Sequence, residues 1–154
     1  MKKEIIVNNL VFNFEYVDEK SMWNLGYHEF DFLKIGYDVN ITINKGEPSW
    51  DEIIFFLKFI LDDISGFKRL LVQSNSKLRN YFYNMYKDVE IDIEISNIFF
   101  TLCNIEYIKY SSKVQQFEYV LNFNIESVSD PDFFMYDTWN AYYMNNQLID
   151  ISRS

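Results

Sequence analysis

Along Asp88-Val89-Glu90-Ile91-Asp92-Ile93-Glu94-Ile95, carboxylates and β-branched apolar residues alternate without a break. Successive side chains of a strand point to opposite faces, so this pattern predicts a strand. Val89, Ile91, Ile93 and Ile95 enter a core, and the carboxylates of Asp88, Glu90, Asp92 and Glu94 face solvent. Four like charges about 6.6 Å apart, twice the strand rise, repel one another unless positive charge lies nearby. Tyr37 to Asn44 alternates almost as cleanly, with Tyr37, Val39, Ile41 and Ile43 inward and Asp38, Asn40, Thr42 and Asn44 towards water.

The same period predicts strands near residues 3–7, 10–17, 27–34, 98–110, 115–126, 138–144 and 147–152. In the fifth of these, Phe117, Tyr119, Leu121, Phe123 and Ile125 line one face. Glu118, Asn122, Asn124 and Glu126 line the other, interrupted by Val120. Asn8-Asn9 and Asn145-Asn146 each separate two such runs, and Asn tolerates the left-handed backbone of a two-residue turn, so a hairpin is predicted at each end of the chain. Asp18 to Asn24 reads as a polar loop carrying Met22 and Trp23.

The period changes after Lys45-Gly46-Glu47-Pro48. Ser49-Trp50-Asp51-Glu52 is a capping box, in which Ser49 caps an early helical N–H and Glu52 reaches back. The helix it opens is apolar around most of its circumference from Ile53 to Ile64, and Gly66 supplies a stop. Phe67 to Gln73 fits strand or helix, with helix favoured, and Ser74-Asn75-Ser76 offers a break or a new cap. Leu78, Tyr81, Phe82 and Met85 then recur at helical spacing through Lys87. The resulting expectation is an α+β fold. A curved, mostly antiparallel sheet of about seven to nine strands carries two central helices on one face, in a single domain spanning 1–154.

Charge narrows the partners. The net charge of −9 is uneven: residues 1–79 hold ten Lys/Arg and twelve Asp/Glu, whereas residues 80–154 hold four and eleven. Phosphate repels such a chain at long range, so nucleic acid and anionic membrane are disfavoured and a basic partner is favoured. The amino-terminal apolar run of three residues is too short for a signal peptide, and the longest run, Ile53 to Leu57, is far below membrane-spanning length. A soluble, cytoplasmic chain is expected. Cys103, the single cysteine, excludes an internal disulfide and reads as a small hydrophobe.

Candidate chemistry is sparse. His28 is the only histidine, and in a strand Glu29 points away from it while Asp31 lies three positions on, so the trio makes no compact triad. One His and one Cys do not make a zinc site. Asp130, Asp132 and Asp137 share a loop but lack EF-hand spacing, and the adjacent acids Asp62 and Asp63 point apart on a helix. No catalytic residue, metal or cofactor is therefore assigned. What remains is the acidic row beside 12 Tyr, 15 Phe and 3 Trp, more than a core of this size requires. Exposed aromatics among acids form the anchors and rim of an interface for a basic protein. Asp88, Glu90, Asp92 and Glu94 are its leading candidates, with Asp130, Asp132, Trp139, Tyr142 and Trp23 behind them. The rivals are a small-ligand or enzymatic domain with an aromatic-lined pocket and a structural subunit in which the aromatics meet a second copy.

The tail from Tyr136 to Arg153, on a small acidic α+β chain, resembles the immunity proteins of bacterial polymorphic-toxin and contact-dependent inhibition systems. The resemblance implies a non-enzymatic inhibitor that binds a cognate toxin domain, often a basic nuclease, and covers its active surface; a monomer or homodimer is expected.

Overall fold

The computed structural model describes residues 1–25, 31–89, 97–130 and 137–154. Eight strands form one open sheet in chain order: β1 (Lys2–Val7), β2 (Leu10–Val17), β3 (Met22–Asn24), β4 (Asn40–Ile43), β5 (Ile98–Ser111), β6 (Gln116–Ser127), β7 (Trp139–Met144) and β8 (Gln147–Arg153). All neighbours are antiparallel except β4 and β5, which run parallel because α1 (Trp50–Leu61) and α2 (Ile64–Tyr86) form the crossover between them. The fold is therefore α+β, with a mostly antiparallel sheet and two helices.

Both Asn-Asn hairpins form. Asn8 and Asn9 take φ of 51° and 64°, the left-handed pair that a two-residue turn requires, and Asn145 takes 49°. Ser49 accepts from the Glu52 N–H and caps α1. The stop differs from expectation. Asp62 ends α1, and the Asp63 side chain caps α2 by accepting from Gly66 N at 2.9 Å, so Gly66 sits in the first turn of α2 and ends nothing. The helix then runs without interruption through Ser74-Asn75-Ser76, and the Ser74 and Asn75 side chains find tertiary partners. Ser74 meets Tyr143 Oη at 2.9 Å, and Asn75 exchanges two hydrogen bonds with the Phe100 backbone.

Of the strand expected near residues 27–34, residues 27–30 lie outside the described residues and 31–34 form no strand, while the strand expected over Tyr37 to Asn44 is shorter. Asp31 accepts from Ile35 N at 2.9 Å and Gly36 N at 2.7 Å, which folds residues 31–36 into a turn, and β4 begins only at Asn40. Trp23 lies on β3, not in a loop. Its indole donates to Gly46 O at 3.0 Å, and its ring meets Trp50 edge-on at 5.0 Å.

One sheet face packs on the helices. Ile41, Ile43, Ile105, Tyr107, Tyr119, Leu121, Phe123, Trp139, Ala141 and Tyr143 meet Ile53, Phe56, Leu57, Leu78 and Phe82, all essentially inaccessible. Each large apolar side chain so buried contributes about 1.5–3 kcal/mol. Most aromatics among the described residues are buried in this core or packed against it, which corrects the expectation of a surplus at the surface. Trp139, buried completely between Phe82, Phe100 and Tyr81, is a core residue, not a surface anchor, and Trp23 is likewise buried. No helix among the described residues is long and apolar enough to cross a membrane.

Candidate functional site

The second face of the sheet carries no helix among the described residues, and polar residues line up across it. In the pairing register Asn40, Asn104, Asn122, Asn140 and Ser152 stand side by side on β4, β5, β6, β7 and β8. Directly opposite residues of neighbouring strands have Cβ atoms about 4.5–5.5 Å apart, within reach of a side-chain amide. The amides bond in one direction. Asn104 Nδ2 donates to Thr42 Oγ1 at 3.0 Å and to Asn122 Oδ1 at 2.7 Å. Asn122 Nδ2 donates to Asn140 Oδ1 at 2.8 Å, and Asn140 Nδ2 reaches Ser154 Oγ at 3.2 Å and Ser152 Oγ at 3.4 Å. This ladder explains why Thr42 and Asn140, polar residues on this face, are buried: their side chains bond to polar neighbours of the ladder.

Beside the ladder runs a second row: Glu106 on β5, Val120 on β6, Tyr142 on β7 and Asp150 on β8. Val120, the residue that interrupts the polar alternation of its strand, is 3% exposed and forms the floor of a cavity of about 520 Å³. Glu106 and Ile108 on one side and Tyr142 on the other are among its walls, and Asn104, Asn122 and Asn140 close the ladder end. Asn44 Nδ2 donates to Glu106 Oε1. Asn104 Oδ1 is buried without a hydrogen-bond partner among the described residues.

By the two-residue period and the register, Glu106, Glu118, Glu126 and Asp150 all belong to this face. Glu118 is paired with Lys109 at 3.2 Å. Glu106, Glu126 and Asp150 have no salt bridge among the described residues. Glu106 and Asp150 are three strands apart, about 14 Å, beyond the Debye length of about 8 Å at physiological salt. Their mutual repulsion is small, and the face tolerates the charge without an internal counterion.

No family model, curated protein or solved structure matches the chain.

The sequence-predicted residues separate. Tyr142 lies on this face and walls the cavity. Trp139, its neighbour on the same strand by three positions, points to the helices, as does Trp23. Asp88 sits exposed in the turn that follows α2, where Val89 is also exposed, so the acidic run does not begin as a strand at Asp88. Glu90, Asp92, Glu94 and Asp132 lie outside the described residues, as does His28. Asp130 is exposed just past β6, and its N–H donates to Ser127 Oγ at 3.3 Å. Asp137 is taken by Arg153, whose guanidinium also lies over Tyr86 and Trp139. Glu106 and Asp150 were missed because each sits next to apolar residues in a strand of uneven pattern. The bulges at Cys103, Ile108 and Ile149 break the alternation that marks a strand face. Burial pushes the Cys103 thiol up from its ordinary value, so it stays protonated, and it donates to Asn122 O at 3.2 Å.

Proposed function

We propose that this chain is a non-enzymatic binding protein that acts in the cytoplasm and docks a basic protein, a toxin domain of nuclease type, on the uncovered face of β4–β8. The observation that carries the reading is the set of carboxylates, Glu106, Glu126 and Asp150, standing without salt-bridge partners among the described residues beside a hydrogen-bonded amide ladder. Negative potential over the face accelerates encounter with a cationic surface and disfavours acidic ones. The ladder holds its side chains in place before binding, so little rotamer entropy is lost on docking. The partner's function is blocked because the same cationic surface that would hold nucleic acid is covered. The resemblance of this small acidic chain and its Tyr136 to Arg153 stretch to immunity proteins points the same way.

Co-expression with the polypeptide encoded by the adjacent gene tests the reading. The expected result is relief of growth arrest together with a stoichiometric complex whose affinity falls steeply between about 50 and about 500 mM salt. A complex indifferent to salt, or growth arrest that persists at equal expression, contradicts it.

A further inference from the structure

We infer that the cavity between β5 and β7 is a receptor for one arginine side chain of that basic partner. The inference rests on the reading of this face as a protein-binding surface and assigns the residue that it grips. Three features of the cavity converge on a guanidinium. Glu106 projects from β5 with Oε1 taken by Asn44, and its Oε2 is in no hydrogen bond or ion pair among the described residues. Tyr142 projects from β7, two strands and about 10 Å of backbone away, so a planar group enters between the carboxylate and the ring. Val120 lies between them as an apolar floor against which methylene groups pack.

A guanidinium presents five donors in a rigid fork and stacks on an aromatic face, whereas an ammonium is a strongly hydrated point charge that loses more water on entering such a slot. The fork also has a second acceptor available. Asn104 lines the same cavity with its Nδ2 held by Thr42 and Asn122, and its Oδ1 is buried without a partner among the described residues. A guanidinium N–H that penetrates to it satisfies an acceptor that the fold leaves open while the ladder stays in place. Carboxylate, aromatic wall, apolar floor and open amide oxygen together favour arginine over lysine, and exclude a neutral side chain of the same length.

The test uses the whole chain, labelled with nitrogen-15, titrated with acetyl-Gly-Arg-Gly-amide and with the matching lysine and citrulline peptides, read on the side-chain amides of Asn104, Asn122 and Asn140. Saturable shifts at about millimolar peptide are expected for arginine, in keeping with one side chain's worth of binding. Lysine should bind several-fold more weakly and citrulline not at all. Glu106→Gln, which keeps an acceptor for Asn44 and so keeps the fold, should weaken the arginine peptide at least tenfold. Tyr142→Leu should do the same, while Tyr142→Phe retains the ring and the affinity. Equal shifts with citrulline, lysine binding as tightly as arginine, or an unchanged Glu106→Gln affinity overturns the inference. The two readings fail separately. If removing all four carboxylates of the face abolishes binding of the adjacent gene product while Glu106→Gln and Tyr142→Leu leave it intact, the arginine receptor is wrong and the docking face stands. If the four-carboxylate variant binds that product as before, the docking face itself is wrong.

Discussion

Asn104 and Asn122 stand directly opposite each other on β5 and β6, and their side-chain amides meet at 2.7 Å on the sheet face opposite the helices. Asn122 is the middle rung, accepting from Asn104 and donating to Asn140. Asn122→Ala leaves a donor and an acceptor without partners, each worth about 1–3 kcal/mol when buried and less where water reaches it. The expected loss is about 2 kcal/mol in urea unfolding, with the slope of the transition unchanged. A loss below about 0.5 kcal/mol means that the rungs act independently.

Asn75 on α2 treats Phe100 as a neighbouring strand would. Its Nδ2 donates to Phe100 O at 2.7 Å and its Oδ1 accepts from Phe100 N at 2.8 Å, on the stretch of β5 that precedes its pairing with β4. Asn75→Ala uncovers one peptide of a strand edge, where unpaired groups invite association with other chains. The variant should lose about 1–3 kcal/mol, and amide exchange at Phe100 should quicken more than at Leu121, which is paired on both sides.

Asn9 holds φ at 64° in the first hairpin turn. Asn9→Gly relieves the left-handed strain and should be neutral or stabilising by up to about 1 kcal/mol, whereas Asn9→Val, β-branched at positive φ, should cost about 1–2 kcal/mol. Thermal unfolding checks the pair. Equal effects of glycine and valine would show that the turn backbone is not what the position selects.

Burial raises the phenols of Tyr119 and Tyr143 above their ordinary value, and Tyr119 also faces Tyr143 in a stacked pair 5.5 Å apart. The folded state therefore keeps protons that the unfolded chain releases, so stability holds below pH of about 10 and falls above it. Absorbance of tyrosinate during an alkaline titration should show these two phenols ionising only with unfolding. Ionisation at their ordinary value in a folded chain contradicts the packing.

How much of this was legible in the sequence depends on spacing. The hairpin turns, the Ser49 cap and the apolar face of β6 follow from local residue types and appear in the structure. Tyr37 and Val89, read as inward-facing, are exposed, and the Glu52 carboxylate accepts from the Tyr107 hydroxyl instead of reaching back to the cap. Gly66 misled because a glycine three residues past a carboxylate is equally good as the site where an N-cap bonds, and only the position of Asp63 decides. Trp139 and Trp23 misled because an aromatic residue in a polar setting looks exposed until the tertiary partner is known; here Phe82 and Trp50 supply it. The ladder was out of reach for a different reason. Asn104, Asn122 and Asn140 become neighbours only through the register, and the extra residue at Cys103 shifts that register by one. Yet Val120 did leave a mark: the one apolar residue on a polar strand face is the floor of the cavity.

The most direct test of the docking face compares two variants that remove equal charge. One carries Glu106→Gln, Glu118→Gln, Glu126→Gln and Asp150→Asn; the other carries Asp18→Asn, Glu19→Gln, Glu47→Gln and Asp51→Asn, exposed positions away from the ladder. Calorimetry against the adjacent gene product should show a loss of about a hundredfold or more for the first and of only about threefold for the second, as local complementarity outweighs net charge. Equal losses in the two variants, or none in the first, would place the interface elsewhere on the molecule.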